Sequence, residues 1–257
     1  MEVGPDQTMR HIILHNHLFK NAGTSVDHIL QQNFKGRWVT REFPDPRPDN
    51  TPDISGWIKG NPDAIAFSSH TIQTVLPTLP DVRIIPIIML RDPVDRIASA
   101  YRFERTQKAD TRGAQLARQN GFAGYVHARL ETKGDRQCRN FQTHRLAALS
   151  SDSMADELTR AQTAAALIAR TGVLGLVSEF DAAMARLSVL IKPHFPEFDW
   201  QPVIANASGH NSVQSVSPDM RRVLEDANRD DFSLLRHARN LLAHASTGAG
   251  TVQRSGT

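Results

Sequence analysis

Two short segments of the chain combine anion-binding residue types with the pattern of a turn between a strand and a helix. The first is His17–Ser25, which reads HLFKNAGTS and follows the apolar run Ile12–Leu14. The second is Arg91–Tyr101, which reads RDPVDRIASAY and follows the apolar run Ile84–Leu90. Because helix N-termini bind oxyanions, two such turns on one sheet could hold the two phosphate-bearing ends of one nucleotide. The pair therefore indicates group transfer from a nucleotide donor.

The first turn offers both backbone and side-chain ligands for an anion. Gly23 would let the backbone come close to a ligand, and the amide groups of Ala22–Ser25 would point into one concavity. Thr24 and Ser25 add hydroxyl donors, and Lys20 adds a positive charge. The triphosphate-binding pattern G-x-x-x-x-G-K-[ST] is absent, since the lysine here precedes the glycine. This weighs against a kinase and favours a donor that needs no metal, with an ordinary tight turn as the alternative for this segment alone.

The second turn pairs an arginine with a serine on the following helix. The Arg91 guanidinium suits bidentate capture of a phosphate, and Ser99 lies two helical turns further on. Asp92 is predicted to cap the helix, with Pro93 in its first turn. A phosphate would then lie beside the helix. The alternative is a local ion pair and cap formed by Arg91 and Asp92.

Three histidines are candidates for further chemistry. His70 directly follows the short apolar run Ala64–Ser69, so it should lie at the carboxyl end of a strand, where open α/β sheets bind ligands. A histidine there suits general base catalysis, and a capping or hydrogen-bonding role is the alternative. His15 and His17 alternate along the first strand and should face one side. A two-histidine metal clip is conceivable, but no third ligand is evident, and no metal is expected.

Strands and helices are predicted to alternate along the chain, which favours an α/β fold with a mostly parallel sheet. The predicted strands are Arg10–Phe19, Arg37–Thr40, Ala64–Ser69, Val82–Leu90 and Gly172–Val177. The predicted helices are Thr24–Phe34, one opening at Pro93, Gly121–Glu131, Asp135–Ser150, Ser153–Arg170, Phe180–Ile191 and Pro218–Ala243. Loops are predicted for Phe43–Pro52, Thr71–Pro80, Thr106–Asn120 and Val203–Val216. Pro86, inside the fourth strand, predicts a bulge or an edge position, because proline donates no ladder hydrogen bond.

The bulk composition sets limits on the function. The 257 residues suit one domain over 1–245, followed by a Gly/Ser/Thr-rich tail over 246–257 that is expected to be disordered. A formal net charge of +3 does not suggest a general nucleic-acid partner. Cys138 is the single cysteine, so an intramolecular disulfide is excluded. No apolar run approaches the roughly 20 residues of a membrane span, and Met1–Met9 is too polar for a signal peptide, so a soluble cytoplasmic protein is expected.

The motifs resemble those of a known enzyme family. Lys20–Ser25 is similar to the PKTAGTS turn, the 5′-phosphosulfate loop of the carbohydrate sulfotransferases, and Arg91–Tyr101 is similar to their 3′-phosphate motif. Arg139–Leu146 resembles their N-x-x-T-R-x-L segment, and Gly172–Phe180 resembles one of their strands. The resemblance covers roughly residues 10–240 and is strongest to the heparan-sulfate uronosyl 2-O- and chondroitin-type sulfotransferases.

The resemblance implies a P-loop NTPase-like, three-layer α/β/α fold with additional helices in the C-terminal half. It also implies 3′-phosphoadenosine-5′-phosphosulfate as the sulfate donor. The 5′-phosphosulfate would be held by Lys20 and by the amide groups of Asn21, Ala22, Gly23, Thr24 and Ser25, and the 3′-phosphate by Arg91 and Ser99. A late loop, Asn206–Ser212, with Ser208 and His210, would close over the nucleotide.

The resemblance also suggests roles in the chemistry. Lys20 would stabilise the leaving phosphate, and His70 would take the proton of an acceptor hydroxyl on a carbohydrate or another small molecule. The residues expected at the acceptor are Arg145, Arg102 and His17. Two other functions stay open at this point: a P-loop kinase of a small molecule, and a nucleotide-binding module without catalysis.

Overall fold

The fold is built on one parallel sheet. The computed structural model describes residues 9–43, 49–74, 76–202 and 216–248, and within them five strands pair in the order β2-β3-β1-β4-β5. The strands are β1 (Arg10–Asn16), β2 (Trp38–Thr40), β3 (Ala66–Ser69), β4 (Val82–Leu90) and β5 (Val173–Leu176), and every pair is parallel. The order reverses at β1, which lies between β3 and β4. Ligands of open α/β sheets bind at such a point, beyond the carboxyl ends of the strands.

Helices cover both faces of this sheet. They are α1 (Gly23–Phe34), α2 (Thr51–Lys59), α3 (Pro93–Thr106), α4 (Arg112–Gln119), α5 (Phe122–Glu131), α6 (Phe141–Ala147), α7 (Glu157–Thr171), α8 (Phe180–Ile191), α9 (Pro218–Ala227) and α10 (Arg229–Gly248). None of the described helices is long and apolar enough to cross a membrane. This arrangement confirms the predicted three-layer α/β/α class.

Two apolar clusters form the core, one on each face. Ile12 and Leu14 of β1 face the cluster that contains residues of α2, α6, α7 and α10. Ile13, between them in the chain, faces the other cluster, with α1 and α8. Both faces of β1 are buried, which is why its sequence is a continuous apolar run rather than an alternating one. A third cluster joins α3, α4, α5 and α9 beside the sheet.

Several predicted boundaries were wrong. The predicted loop Thr106–Asn120 contains α4, whose buried residues are only Gly113, Ala114 and Ala117. Such small side chains give a weak apolar pattern, although the Thr111 hydroxyl caps the helix. Helix α2 was not predicted, and it buries Ile54, Trp57 and Ile58.

The predicted helix at the C-terminus is interrupted. Asn228 separates α9 from α10, and its buried amide donates to the carbonyl oxygens of Cys138 and Leu224 at 2.9 Å and 2.8 Å. Helix α10 continues to Gly248, past the predicted start of the tail, and the rest of that tail lies outside the described residues. Within the predicted helix Asp135–Ser150, only Phe141–Ala147, which is α6, is an α-helix.

Pro86 lies in an interior strand, not in an edge strand. Pairing between β4 and β5 begins at Ile87 with Val173, one residue after the proline. Pro86 is in register with Leu14 on the β1 side. The missing N–H therefore falls just outside the β5 ladder. Gly172 packs against Pro86 so closely that a Cβ there would lie 2.2 Å from the Pro86 carbonyl oxygen.

Candidate active site

The parallel sheet brings the polar segments that follow its strands to one edge. In spatial order from β2 to β5, these segments contain Glu42, His70, the His17–Ser25 turn, Arg91 and Ser178. Because all carboxyl ends of a parallel sheet lie on the same side, residues far apart in sequence become neighbours. The two segments predicted to bind anions, His17–Ser25 and Arg91–Tyr101, are called the anion turns below. They follow β1 and β4, the adjacent strands at the point where the strand order reverses.

Backbone geometry shapes the first turn. Lys20 and Ala22 adopt positive φ angles of 64° and 60°, and α1 begins immediately afterwards without a side-chain cap. The amide groups of Ala22, Gly23 and Thr24 therefore lead into the helix, where no carbonyl oxygen of the helix can accept from them. These three groups are the backbone donors of the turn that could bind an anion.

Two of the predicted backbone donors in this turn are already used. The amide of Asn21 donates to the Leu18 carbonyl oxygen at 3.2 Å, and that of Ser25 to the Ala22 carbonyl oxygen at 3.0 Å. Asn21 is also buried, with only 1% of its surface exposed. Its predicted role as a direct ligand through its N–H is therefore replaced by a structural one, because the turn needs that hydrogen bond to close.

Gly23 makes room for a side chain of the protein itself. A Cβ at this position would lie 2.0 Å from Cδ2 and 2.3 Å from Nε2 of His17. The sequence had suggested that the glycine allows a ligand to approach the backbone. The geometry shows that its lack of a side chain also permits the His17 ring to pack against the turn.

One cleft of about 290 Å³ unites most of the predicted residues. It is lined by His17, Phe19, Lys20, Ala22, Gly23, Thr24, Ser25, His70, Arg91, Ser99 and Phe103. An adjoining cleft of about 530 Å³ shares Arg91 and adds Arg102, Ser178 and Arg239. Arg91 thus lines both clefts. Ser208 and His210 fall within 203–215, outside the described residues.

The first cleft is positively charged. Burial, together with the nearby charges of Arg91 and Arg102, lowers the pKa of the Lys20 ammonium group. Lys20 Nζ lies 4.6 Å from the centre of the Phe103 ring, a cation–π contact. Since clustered positive charges repel one another, an anion bound among them would be stabilised.

The second turn uses its helix cap differently. Asp92 Oδ1 accepts hydrogen bonds from the amide groups of Val94 at 2.9 Å and Asp95 at 3.1 Å. The start of α3 is thus occupied by a carboxylate, as the sequence predicted. Arg91 contributes its side chain instead, and its Nη1 donates to the Lys20 carbonyl oxygen at 3.2 Å.

His70 is oriented by Glu42, a residue that the sequence analysis missed. Nδ1 of His70 lies 2.7 Å from Glu42 Oε1, and Glu42 also accepts from the His70 amide at 3.1 Å. Glu42 therefore orients the ring through Nδ1, and the other ring nitrogen, Nε2, makes no hydrogen bond to Glu42. Glu42 follows β2 and His70 follows β3, so only strand pairing brings the two together. In sequence, Glu42 resembles any other charged loop residue.

A half-buried carboxylate links the other two histidines. Asp27 accepts from Nδ1 of His15 at 2.7 Å through one oxygen and from Nδ1 of His17 at 2.8 Å through the other. Burial alone would raise the pKa of Asp27, but these hydrogen bonds hold it well below its usual value. Burial lowers the pKa of His15. Asp27 is thus the third potential metal ligand that was not evident in the sequence, yet hydrogen bonds already satisfy both of its oxygens.

The imidazole of His17 packs against that of His70 in a tilted arrangement. Their ring centroids lie 3.9 Å apart, at an interplanar angle of 31°. Each ring has its own carboxylate partner at Nδ1, Asp27 for His17 and Glu42 for His70. The two imidazoles that border the cleft are therefore held by different elements of the fold, His17 by α1 through Asp27 and His70 by the segment after β2 through Glu42.

The predicted acceptor residues lie in different places. Nη2 of Arg145 donates to the carbonyl oxygens of His70 at 2.7 Å and Ile72 at 3.1 Å, so the side chain tethers the segment that carries His70. Arg102 lines the larger cleft with Arg91. His17 alone among the three borders the same cleft as His70.

The comparison with known proteins identifies the family. A model of the sulfotransferase family matches residues 6–238, which include both anion turns and His70. The chain belongs to sulfotransferase family 2. This sulfotransferase is also similar to an uncharacterized protein of Archaeoglobus fulgidus, with 39% identity over 219 residues that cover 82% of each chain.

Proposed function

We propose that this sulfotransferase moves a sulfuryl group from 3′-phosphoadenosine-5′-phosphosulfate to a hydroxyl of a carbohydrate or another small acceptor. One observation carries the proposal. The uncapped turn after β1, the arginine turn after β4 and the histidine after β3 border one positively charged cleft. A donor with two phosphate-bearing ends would span the turns and present its sulfuryl group near the histidine.

The donor would be held by different groups at its two ends. The amide groups of Ala22–Thr24 and the Lys20 ammonium group are available for the 5′-phosphosulfate. Arg91 and Ser99 are available for the 3′-phosphate, since both side chains border the cleft. The charge of Arg102 beside Arg91 supports a role with the nucleotide rather than with the acceptor.

The chemical step would need one base and one cation. The acceptor oxygen attacks sulfur as its proton passes to Nε2 of His70, the nitrogen that Glu42 leaves available. A new S–O bond forms, the S–O bond to the 5′-phosphate breaks, and adenosine 3′,5′-bisphosphate leaves. Lys20 would neutralise the charge that develops on the leaving oxygen. Positioning and electrostatics of this kind dominate the closely related phosphoryl transfer.

A carbohydrate acceptor is supported by the resemblance of the motifs. His17 borders the cleft beside His70 and is the best-placed of the predicted acceptor residues. The Arg145 guanidinium already donates to two backbone carbonyl oxygens, so it supports the acceptor site through the position of His70. Ser208 and His210 stay predicted contacts to the nucleotide.

The first test is binding of adenosine 3′,5′-bisphosphate by calorimetry in the presence of EDTA. Adenosine 5′-phosphate is the matched control ligand. Tight binding that depends on the 3′-phosphate and needs no metal is expected. Binding of ATP with Mg²⁺ alone would instead favour the kinase alternative and overturn the proposal.

A second test separates catalysis from binding. His70→Ala is expected to retain bisphosphate binding within about threefold while transfer of labelled sulfate falls by about 10² to 10⁴, the usual contribution of a general base. His127→Ala removes an exposed histidine of α5 and serves as the control. Unchanged transfer in His70→Ala would exclude His70 as the base.

A further inference from the structure

We infer that Gln142 is a positioning residue that fixes the separation of the two anion-binding turns, so that both phosphate ends of one nucleotide are bound together. This inference rests on the proposed function, because it assigns one end of the donor to each turn. Gln142 belongs to α6 and is not part of either turn.

Gln142 connects the turns through three hydrogen bonds. Its Oε1 accepts from the side-chain amide of Asn21 at 2.7 Å and from the backbone amide of Arg91 at 2.8 Å. Its Nε2 donates to the Arg91 carbonyl oxygen at 2.9 Å. Only 1% of Gln142 is exposed, so water does not compete for these bonds.

Asn21 forms the other half of the connection. Its Nδ2 donates to the carbonyl oxygen of Met89, near the end of β4, at 2.7 Å, as well as to Gln142. One side chain of the first turn is thus tied to the strand that leads into the second. This explains the asparagine where the resembled motif has threonine, because a threonine hydroxyl is shorter and has one proton to donate.

The helix that carries Gln142 is itself held in place. The carboxylate of Asp231, on α10, accepts from the amide groups of Gln142 at 3.2 Å and Thr143 at 2.7 Å. Asp231 is 1% exposed. Asp231 therefore fixes the first turn of α6, and the Gln142 side chain extends from this fixed turn.

The connection between the turns should affect the free energy of binding both phosphates of one ligand together. When one phosphate is bound, the other meets a site at a fixed distance, and its binding is effectively intramolecular. That advantage depends on preorganisation, which buried hydrogen bonds between the turns supply. Loss of the connection should therefore reduce the cooperation between the phosphates more than the binding of either phosphate alone.

This cooperation can be measured with four ligands on the full-length protein. They are adenosine, adenosine 3′-phosphate, adenosine 5′-phosphate and adenosine 3′,5′-bisphosphate. The coupling factor is the product of the two monophosphate dissociation constants divided by the product of those for adenosine and the bisphosphate. A merely structural role of Gln142 would lower stability without changing this ratio.

Two variants test the inference. Gln142→Ala and Asn21→Thr are each expected to lower the coupling factor about tenfold or more, with monophosphate affinities within about threefold of the wild type. The double variant should be no worse than either single one, because both remove the same link. Asn228→Ala, which removes another buried amide near α6, is the control and should leave the coupling factor unchanged.

The outcomes separate this inference from the proposed function. An unchanged coupling factor in Gln142→Ala would overturn the inference, and if that variant does not fold, an unchanged factor in Asn21→Thr would do so. Wild-type protein that binds the bisphosphate tightly but without coupling would also overturn it, with the proposed donor retained. Wild-type protein that does not distinguish the bisphosphate from adenosine would instead refute the proposed function.

Discussion

The two anion turns follow one pattern, a buried strand that leads into a helix, yet they offer a ligand different groups. Ala22, the N-cap residue of α1, provides no side-chain cap, which leaves backbone amide groups for an anion. Asp92, the N-cap residue of α3, already accepts hydrogen bonds from the amide groups of Val94 and Asp95 through its carboxylate. In the proposed function, the second turn would therefore bind its phosphate through the Arg91 and Ser99 side chains. The presence or absence of a side-chain cap therefore decides which groups the same local architecture can offer to a ligand.

This difference predicts different sensitivities to substitution. Ligand binding at the first turn should depend on backbone conformation and on the space left by small residues, with the Lys20 charge acting mainly on the rate of transfer. The second should depend on side-chain identity and tolerate changes of its cap. Substitutions in the two turns test these expectations.

The largest expected effect is at Lys20 in the first turn. Lys20→Met removes the charge but keeps the length of the side chain. Transfer should fall by about 10² to 10³, the usual cost of removing a group that stabilises developing charge, while donor binding falls much less. Initial rates and calorimetry measure the two effects. Lys192→Met, at an exposed lysine beyond α8, is the control, and equal losses of rate and binding at Lys20 would contradict its role at the leaving oxygen.

A substitution at Gly23 tests the backbone site. The new methyl group of Gly23→Ala would overlap the His17 ring, which Asp27 holds in place. A displacement of about 1 Å could cost about 10² in rate. Bisphosphate affinity should fall as well, whereas Gly36→Ala, at an open position, should have no effect.

A double variant then identifies what the glycine makes room for. If Gly23 serves mainly His17, adding Gly23→Ala to His17→Ala should cost little further bisphosphate affinity. A full additional loss would mean that the ligand itself needs the space. Calorimetry of the two single variants and the double variant gives the answer.

Arg91→Ala should weaken binding of adenosine 3′,5′-bisphosphate by about 10- to 100-fold. This factor corresponds to the loss of about 1.5–3 kcal/mol that is typical of hydrogen bonds to a charged group. Adenosine 5′-phosphosulfate, which lacks the 3′-phosphate, should lose much less. Some loss for both ligands is expected, because Arg91 also donates to the Lys20 carbonyl oxygen. Equal weakening of both would contradict the assignment of Arg91 to the 3′-phosphate.

The smallest effect is expected at the cap of the second turn. Asp92→Ala should lower the free energy of unfolding by about 1 kcal/mol, and Asp92→Asn, which still caps, by much less. Bisphosphate affinity should not fall in either variant, since the start of α3 does not supply amide groups to the ligand. Denaturant melts and calorimetry would show this. A tenfold loss of affinity in Asp92→Ala would remove the distinction between the two turns.

Much of the arrangement followed from local sequence signals. The apolar runs before the two turns became β1 and β4, and Asp92 caps α3 as predicted, because strand composition and helix capping act over a few residues. Where the local signal was weak, prediction failed. Helix α4 buries only small residues, and Asn228 ends α9 through a hydrogen bond to Cys138, which is far away in sequence.

The sequence by itself determined the α/β class, the motifs of the sulfotransferase family and the chemical groups available in each turn. Only the tertiary structure decided how those groups are oriented. Glu42 holds His70, Asp27 joins two histidines, and Gln142 ties one turn to the other. Each of these contacts joins separate elements of the fold. Their physical basis is the pairing of parallel strands and the packing of helices on them, which no local pattern of residues encodes.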